Sequence, residues 1–349
     1  MLFVPINSAY SDISIQMDNK PINPSRGNTL YVGGSGPGNY TKIQDAIDDA
    51  SDGDTVFVYN DSSPYSDVDI DKSINLIGED KESTVIRGGE ITTIDVSSDW
   101  VNISGFTIQT LETGIFTHAN YSTIIGNNIF DALNGIWVEK SNNNIFSNNI
   151  LMNNYYNGIY LIHSSNNTIS KNNFISTARC GIHIYYSNYN IISNNNISYG
   201  GNYGPGMWFE YSNCNIITGN TITSVNRSGI QLSGENNKIY HNNFINNTDN
   251  AYDVGNNTWD DSKYGNYWSD YEKRYPDAKP RILKPWMWDT PYQILGDGKN
   301  NDNCPLVNQW PKSKSKHIPN NKVISKSPLL RFLERYPLLN RLLSLTMIL

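Results

Sequence analysis

Ile169-Ser-Lys-Asn-Asn-Phe174 is followed one unit later by Ile192-Ser-Asn-Asn-Asn-Ile197, and this recurrence decides the fold. The same phrase stands at Ile124-Ile-Gly-Asn-Asn-Ile129, Ile145-Phe-Ser-Asn-Asn-Ile150, Ile217-Thr-Gly-Asn-Thr-Ile222 and Ile239-Tyr-His-Asn-Asn-Phe244. A second mark, Gly-Ile or Gly-Met, keeps step at Gly114, Gly135, Gly158, Gly181, Gly206 and Gly229, so both recur every 21 to 25 residues. Such a period signals a solenoid, whose units are too small to bury an apolar face alone and must stack. After each glycine the apolar residues fall at alternate positions: Ile136 and Val138, Ile159 and Leu161, Ile182 and Ile184. Alternation with period two means strand rather than helix.

Each unit therefore holds about three short strands joined at Asn, Ser and Gly corners. Stacked units pair in parallel, and parallel crossovers wind right-handed. The reading is an all-β, right-handed parallel β-helix. Its repeated asparagines, read at Asn127, Asn148, Asn172, Asn195, Asn220 and Asn242, are expected to turn inward at one corner. There each amide can donate to one neighbouring coil and accept from the other, as a buried amide requires.

Outside the repeats, residues 1–40 read as an irregular N-terminal segment, which also fits the tail of a signal peptide whose start is missing. From Thr41, a plausible N-cap, Ile43, Ala46, Ile47 and Ala50 fall on one helical face, giving a lid for the open end of the solenoid. The β-helix with this lid is expected over 41–250. Residues 251–311 hold five of the eight tryptophans, Trp259, Trp268, Trp286, Trp288 and Trp310, and read as an aromatic C-terminal cap. A basic linker, 312–326, leads to a Leu- and Arg-rich tail, 327–349, expected to form an amphipathic helix that docks on a membrane surface or a protein partner.

The run TKIQDAIDDASDGDTVFV (41–58), followed by VDIDKSINLIGEDKESTVIRGG (68–89), resembles the start of the NosD-like β-helix proteins, an exported family abundant in archaea. The repeats carry the same resemblance. GNYWSDY (265–271), DTPY (289–292) and Asp302 to Leu306 resemble the family's C-terminal signature. The resemblance implies a pectate-lyase-type solenoid with an extracellular or cell-surface location, and it brings an association with copper supply to nitrous oxide reductase. The residues do not supply a copper site: His118, His163, His183, His241 and His317 lack ligand spacing, and neither a Met cluster nor a Cys pair is present. The Asp297–Asp302 loop lacks the full EF-hand pattern and makes a weak Ca²⁺ site, so no cofactor is expected.

The net charge of −7 argues against nucleic acid and against anionic membranes as partners of the body. Recurrent N-glycosylation sequons, Asn39 and Asn166 among them, fit an exported chain. Three cysteines, Cys180, Cys214 and Cys304, fall at different corners and read as free thiols.

If the first and third residues after each glycine point inward, the second and fourth form two outward stripes. One runs Phe116, Trp137, Tyr160, His183, Trp208, Gln231; the other His118, Glu139, Ile162, Tyr185, Glu210, Ser233. Aromatic faces beside polar groups suit sugar rings. Phe116, Trp137, Glu139, Tyr160, His183 and Trp208 are therefore the expected binding residues, and a polysaccharide or cell-surface glycan is the expected partner. The stripe reads equally as plain strand propensity, in which case the protein is a purely structural surface or adhesion module. An enzyme reading, as a polysaccharide lyase or glycoside hydrolase, rests on His183 with Glu210, Arg179 and Tyr185 nearby. Glu139 and Glu210 lie three coils apart, about 14 Å, against the ~5–9.5 Å that paired-carboxylate hydrolysis uses.

Overall fold

The computed structural model describes residues 27–89 and 91–311. Three parallel sheets run the length of a right-handed β-helix, one of ten strands and two of nine. Each strand pairs with its counterpart in the next coil. The first sheet runs from Thr29–Val32 to Lys238–Tyr240, the second from Val85–Arg87 to Tyr267–Trp268, and the third from Val68–Ile70 to Asp249–Asp253. The alternation in the sequence fixes which side chains enter. Ile136, Ile159, Ile182, Met207 and Ile230 are fully buried and stand in register, with Val138, Leu161, Ile184, Phe209 and Leu232 beside them.

The solenoid extends beyond the sequence-drawn boundaries at both ends. Thr29–Val32, inside the stretch read as irregular, is a strand paired with Thr55–Val58. At the other end, Tyr267–Trp268 still pairs with Asn243–Ile245. The lid helix is Ile43–Asp49 and buries Ile43, Ala46 and Ile47; its N-cap is Lys42 rather than Thr41, with no side-chain cap bond. The signal-peptide, linker and tail readings lie outside the described residues.

The asparagine ladder exists, with one rung corrected. Its members are Asn127, Asn149, Asn172, Asn195, Asn220, Asn242 and Asn266; Asn148 is not among them. In the ladder Asn172 Nδ2 donates to Asn195 Oδ1 at 3.1 Å and to Phe146 O at 2.8 Å, while its Oδ1 accepts from the backbone N and Nδ2 of Asn149. Asn148 occupies the preceding position, where the backbone turns left-handed at φ 55°, as it does at Gly126, Lys171, Asn194, Gly219 and His241. Asn and Gly tolerate that region best. The phrase is displaced by one residue in this coil: Phe146, not Ile145, is the buried partner of Ile124 and Ile169.

A second ladder, not singled out from the sequence, joins Asn144, Asn167, Asn190, Asn215, Asn237 and Asn257. Both ladders end on a buried carboxylate. Asp302 Oδ2 accepts from Asn266 N (2.7 Å) and Trp268 Nε1 (2.9 Å); Asp253 accepts from Asn257 Nδ2 and Trp259 Nε1, both at 2.8 Å. The last amide of each ladder thus meets an acceptor where the next coil is missing.

Above these acids the aromatic cap closes the core. Trp268 stacks between Phe244 (4.6 Å) and Tyr292 (4.1 Å), and Tyr271 stacks on Trp288 (4.8 Å). Trp259, Trp268 and Trp288 are buried, whereas Trp286 is exposed and Trp310 stacks on His241 at 3.4 Å.

Burial pushes the Asp302 carboxyl up to about 7 against the N–H donors that favour its charge. In the unfolded chain it titrates near its ordinary 3.8. Between these values the folded protein keeps a proton that the unfolded chain releases. The stability from this group is therefore complete below its ordinary value and is lost as pH rises toward about 7. The unfolding free energy from urea titration should fall between pH 5 and about pH 7, with Asp302 contributing up to ~1.4 kcal/mol per pH unit. Asp302→Asn should flatten that slope; an unchanged slope would show that Asp302 is ionised throughout.

Candidate functional site

The outward stripe of the third sheet is a single register column. Phe116, Trp137, Tyr160, His183, Trp208 and Gln231 pair coil by coil. Three members were missed from the sequence: Asp69 and Asp95 precede Phe116, and Tyr252 follows Gln231. The missing signal is the glycine mark, which neither Asp69, Asp95 nor Tyr252 follows.

Phe116, Trp137, Tyr160 and Trp208 are half-buried, so each keeps part of its ring in solvent. Phe116 and Trp137 meet edge to face at 5.6 Å, and Trp137 and Tyr160 are tilted at 6.0 Å. The His183 ring is sandwiched, 4.8 Å from Tyr160 and 4.9 Å from Trp208, both nearly parallel to it. At 3% exposure His183 offers no face to a ligand, which corrects its place among the binding residues. Alternation made it outward, but two larger rings one coil away on either side close over it.

His183 Nε2 meets Glu210 Oε2 at 2.7 Å, and Nδ1 is buried without a partner. Burial lowers the imidazole's proton affinity and the Glu210 bond partly restores it. The Arg179 guanidinium lies over the Trp208 ring at 5.1 Å. Tyr185 pairs in register with Glu210, and its ring lies 6.3 Å from His183 while meeting Tyr186 edge-on at 4.6 Å and Tyr211 at 6.2 Å. His183, Glu210 and Arg179 are thus brought together around Trp208, and Tyr185 stands between them and the tyrosines Tyr186 and Tyr211. Glu139 and Glu210 stand three rungs apart through Ile162 and Tyr185.

Trp208 forms one wall of a cleft of about 390 Å³ together with Tyr203, Pro205, Arg227, Gln231 and Asp249. The loop that makes this cleft is legible as the longest interval between marker glycines, from Gly181 to Gly206.

Among the described residues a metal finds no matching donor set: no three of His, Cys, Asp and Glu come together. His118 has only Asp95 (3.9 Å), His183 only Glu210, His241 only Asp261 (3.5 Å), and His163 stacks on Tyr186. Asp302, considered for Ca²⁺, is taken up by N–H donors. Cys180, Cys214 and Cys304 are unpaired. His317 lies outside the described residues.

Among solved structures, the fold is similar to ORF18 of Geobacillus virus E2, at 14% identity and TM-score 0.52 over 72% of this chain. This chain spans 60% of that one. It is also similar to pectate lyase Pel9A, at 13% identity and TM-score 0.50, covering 67% of this chain and 76% of that one. No curated protein matches the sequence. Residues 47–273 match the family described as periplasmic copper-binding protein (NosD). The donor geometry above does not extend the copper part of that description to this chain. The match covers well over half of the sequence, and the chain belongs to the NosD family of periplasmic β-helix proteins.

Proposed function

We propose that this exported β-helix is a binding protein for a carbohydrate polymer of the cell surface, held along the outer aromatic column with its main contact at Trp208. The observation that supports this most is the cleft against Trp208, at the end of a row of half-buried rings. A sugar ring placed there meets the exposed part of the Trp208 ring, while Asn226, Arg227, Ser228 and Gln231 supply groups for its hydroxyls. Toward the N-terminal coils, Tyr160, Trp137 and Phe116 offer further contacts one coil apart, with Glu139 beside Trp137. The fold is one that a pectate lyase uses, which favours a carbohydrate ligand over other polymers. Binding is favoured over catalysis at His183 and Glu210, because the imidazole that would move a proton is sealed between two rings.

A glycan array with wild type, Trp137→Ala and Trp208→Ala tests this reading. Wild type should retain at least one polysaccharide, Trp208→Ala should lose about tenfold in affinity, and Trp137→Ala less. Wild type that retains none would refute it.

A further inference from the structure

A second aromatic group lies on the turns that follow the third sheet, away from the Trp208 cleft. His163, Tyr186 and Tyr211 occupy equivalent turn positions in successive coils, and their rings stack nearly parallel at 5.4 and 4.9 Å. Tyr186 is 44% exposed, Tyr211 55% and the neighbouring Tyr189 62%. All three tyrosines have left-handed backbone, φ 45°, 50° and 58°. Equivalent positions in other coils carry Lys140, Asn143, Asn166, Cys214 and Asn236, and toward the N-terminal end Trp100 and Tyr121, whose exposed rings stack at 4.4 Å. The left-handed region disfavours bulky side chains and favours Asn. Large rings set there point to solvent rather than filling the core, and those of Tyr186, Tyr189 and Tyr211 also line a cleft.

The stack then stops. Five residues, 210–214, separate Phe209 from Asn215, whereas only four, 233–236, separate their partners Leu232 and Asn237. The shortened turn runs through Gly234 and puts no ring beyond Tyr211. A cleft of about 660 Å³ opens there, between Tyr186, Tyr189 and Tyr211 on one side and Ser233, Gly234 and Glu235 on the other. Its size lies within the range of small-ligand sites.

The polar lining indicates what fits. Asn213 N donates to Asn188 Oδ1, and Glu235 N to Asn213 Oδ1, each at 2.7 Å. Both amides are thus anchored through their oxygens, and among the described residues neither Nδ2 meets an acceptor. The lining holds one carboxylate, Glu235, and neither Lys nor Arg. Amide donors, a hydroxyl and an aromatic wall match the hydroxyls and C–H face of an uncharged sugar, and the lone carboxylate repels an acidic one.

We infer that this cleft is a second carbohydrate site, selective for a neutral sugar unit stacked on Tyr211. It stands independently of the Trp208 site. Cys214 lines it and is half-buried, whereas Cys180 and Cys304 are buried, so alkylation of Cys214 reports occupancy of this cleft alone.

The test is the rate at which iodoacetamide labels Cys214 in the folded chain. The probes are neutral β-linked gluco-, manno- and N-acetylglucosamine oligomers, oligogalacturonate and choline. Neutral oligomers should slow labelling severalfold in wild type and in Trp208→Ala. Tyr211→Ala should weaken that protection about tenfold in oligomer concentration, and Tyr211→Phe should retain it. Circular dichroism would confirm that the exposed-turn variants remain folded. Lack of protection by any neutral oligomer, equal protection by oligogalacturonate or choline, or full protection in Tyr211→Ala would each overturn the proposal. Protection surviving in Trp208→Ala while the array shows no polymer bound at Trp208 would support this site and count against the other.

Discussion

Asn172→Leu is expected to destabilise the protein by about 3–6 kcal/mol, since each buried polar group left without a partner costs ~1–3 kcal/mol. The side chain is 1% exposed and sits mid-ladder. Leucine fills the space but leaves the Asn149 backbone N and one Asn149 Nδ2 hydrogen without the Asn172 oxygen, and Phe146 O without its donor. Asn195 also loses a donor to its oxygen. The melting temperature should fall by roughly 5–10 °C. Trp137→Ala, on the half-buried outer face, removes apolar area without orphaning a ladder group and should cost ~1–2 kcal/mol. Equal stability of Asn172→Leu and wild type would show that the ladder is not a source of cohesion between coils.

Gly158→Ala is the second large effect, and its cause is proximity rather than backbone conformation. A Cβ on Gly158 would lie 2.6 Å from Gly181 O in the next coil and 2.3 Å from Phe174 Cδ1 in the core. The same close approach to a neighbouring coil's carbonyl recurs at Gly114, Gly135 and Gly206, which explains why the glycine mark repeats as faithfully as the asparagines. Backbone on one side and a core ring on the other cannot both give way. The cost should reach about 3 kcal/mol, the upper part of the range for overpacked cores. Gly126→Ala is the contrasting case: φ is +70° and nothing lies within 4 Å of the added atom, so only the left-handed backbone penalty of ~1–2 kcal/mol applies. Thermal unfolding of the two variants side by side checks this. A Gly126→Ala protein less stable than Gly158→Ala would contradict the assignment of the glycine column.

How far the sequence reveals each feature follows from how local its cause is. The alternation after Gly135, Gly158 and Gly181 depends only on neighbouring residues, and it placed Ile136, Ile159 and Ile182 in the core and Trp137 and Tyr160 outside. The ladder was legible as a repeated Asn, but choosing between Asn148 and Asn149 needed the backbone conformation, because both residues are asparagine. The burial of His183 was not legible at all. Outward direction is a property of one strand, whereas exposure depends on the sizes of the rings in the coils on either side, Tyr160 and Trp208. Likewise Asp302 lies beyond the repeats and reaches Asn266, 36 residues away, only through the folded cap, whereas Asp253 closes the third sheet and meets Asn257 four residues on, outside the repeated phrase.

Isothermal titration of the polysaccharide that wild type retains best, with wild type, Trp208→Ala and Asn172→Leu each below its unfolding range, tests most directly whether the outer column binds while the inner ladder only supports. Trp208→Ala should keep the wild-type melting temperature to within a few degrees and bind about tenfold more weakly; Asn172→Leu should unfold much earlier and bind as wild type does while folded. Trp208→Ala binding as tightly as wild type, or wild type titrating with no polysaccharide, would contradict the account.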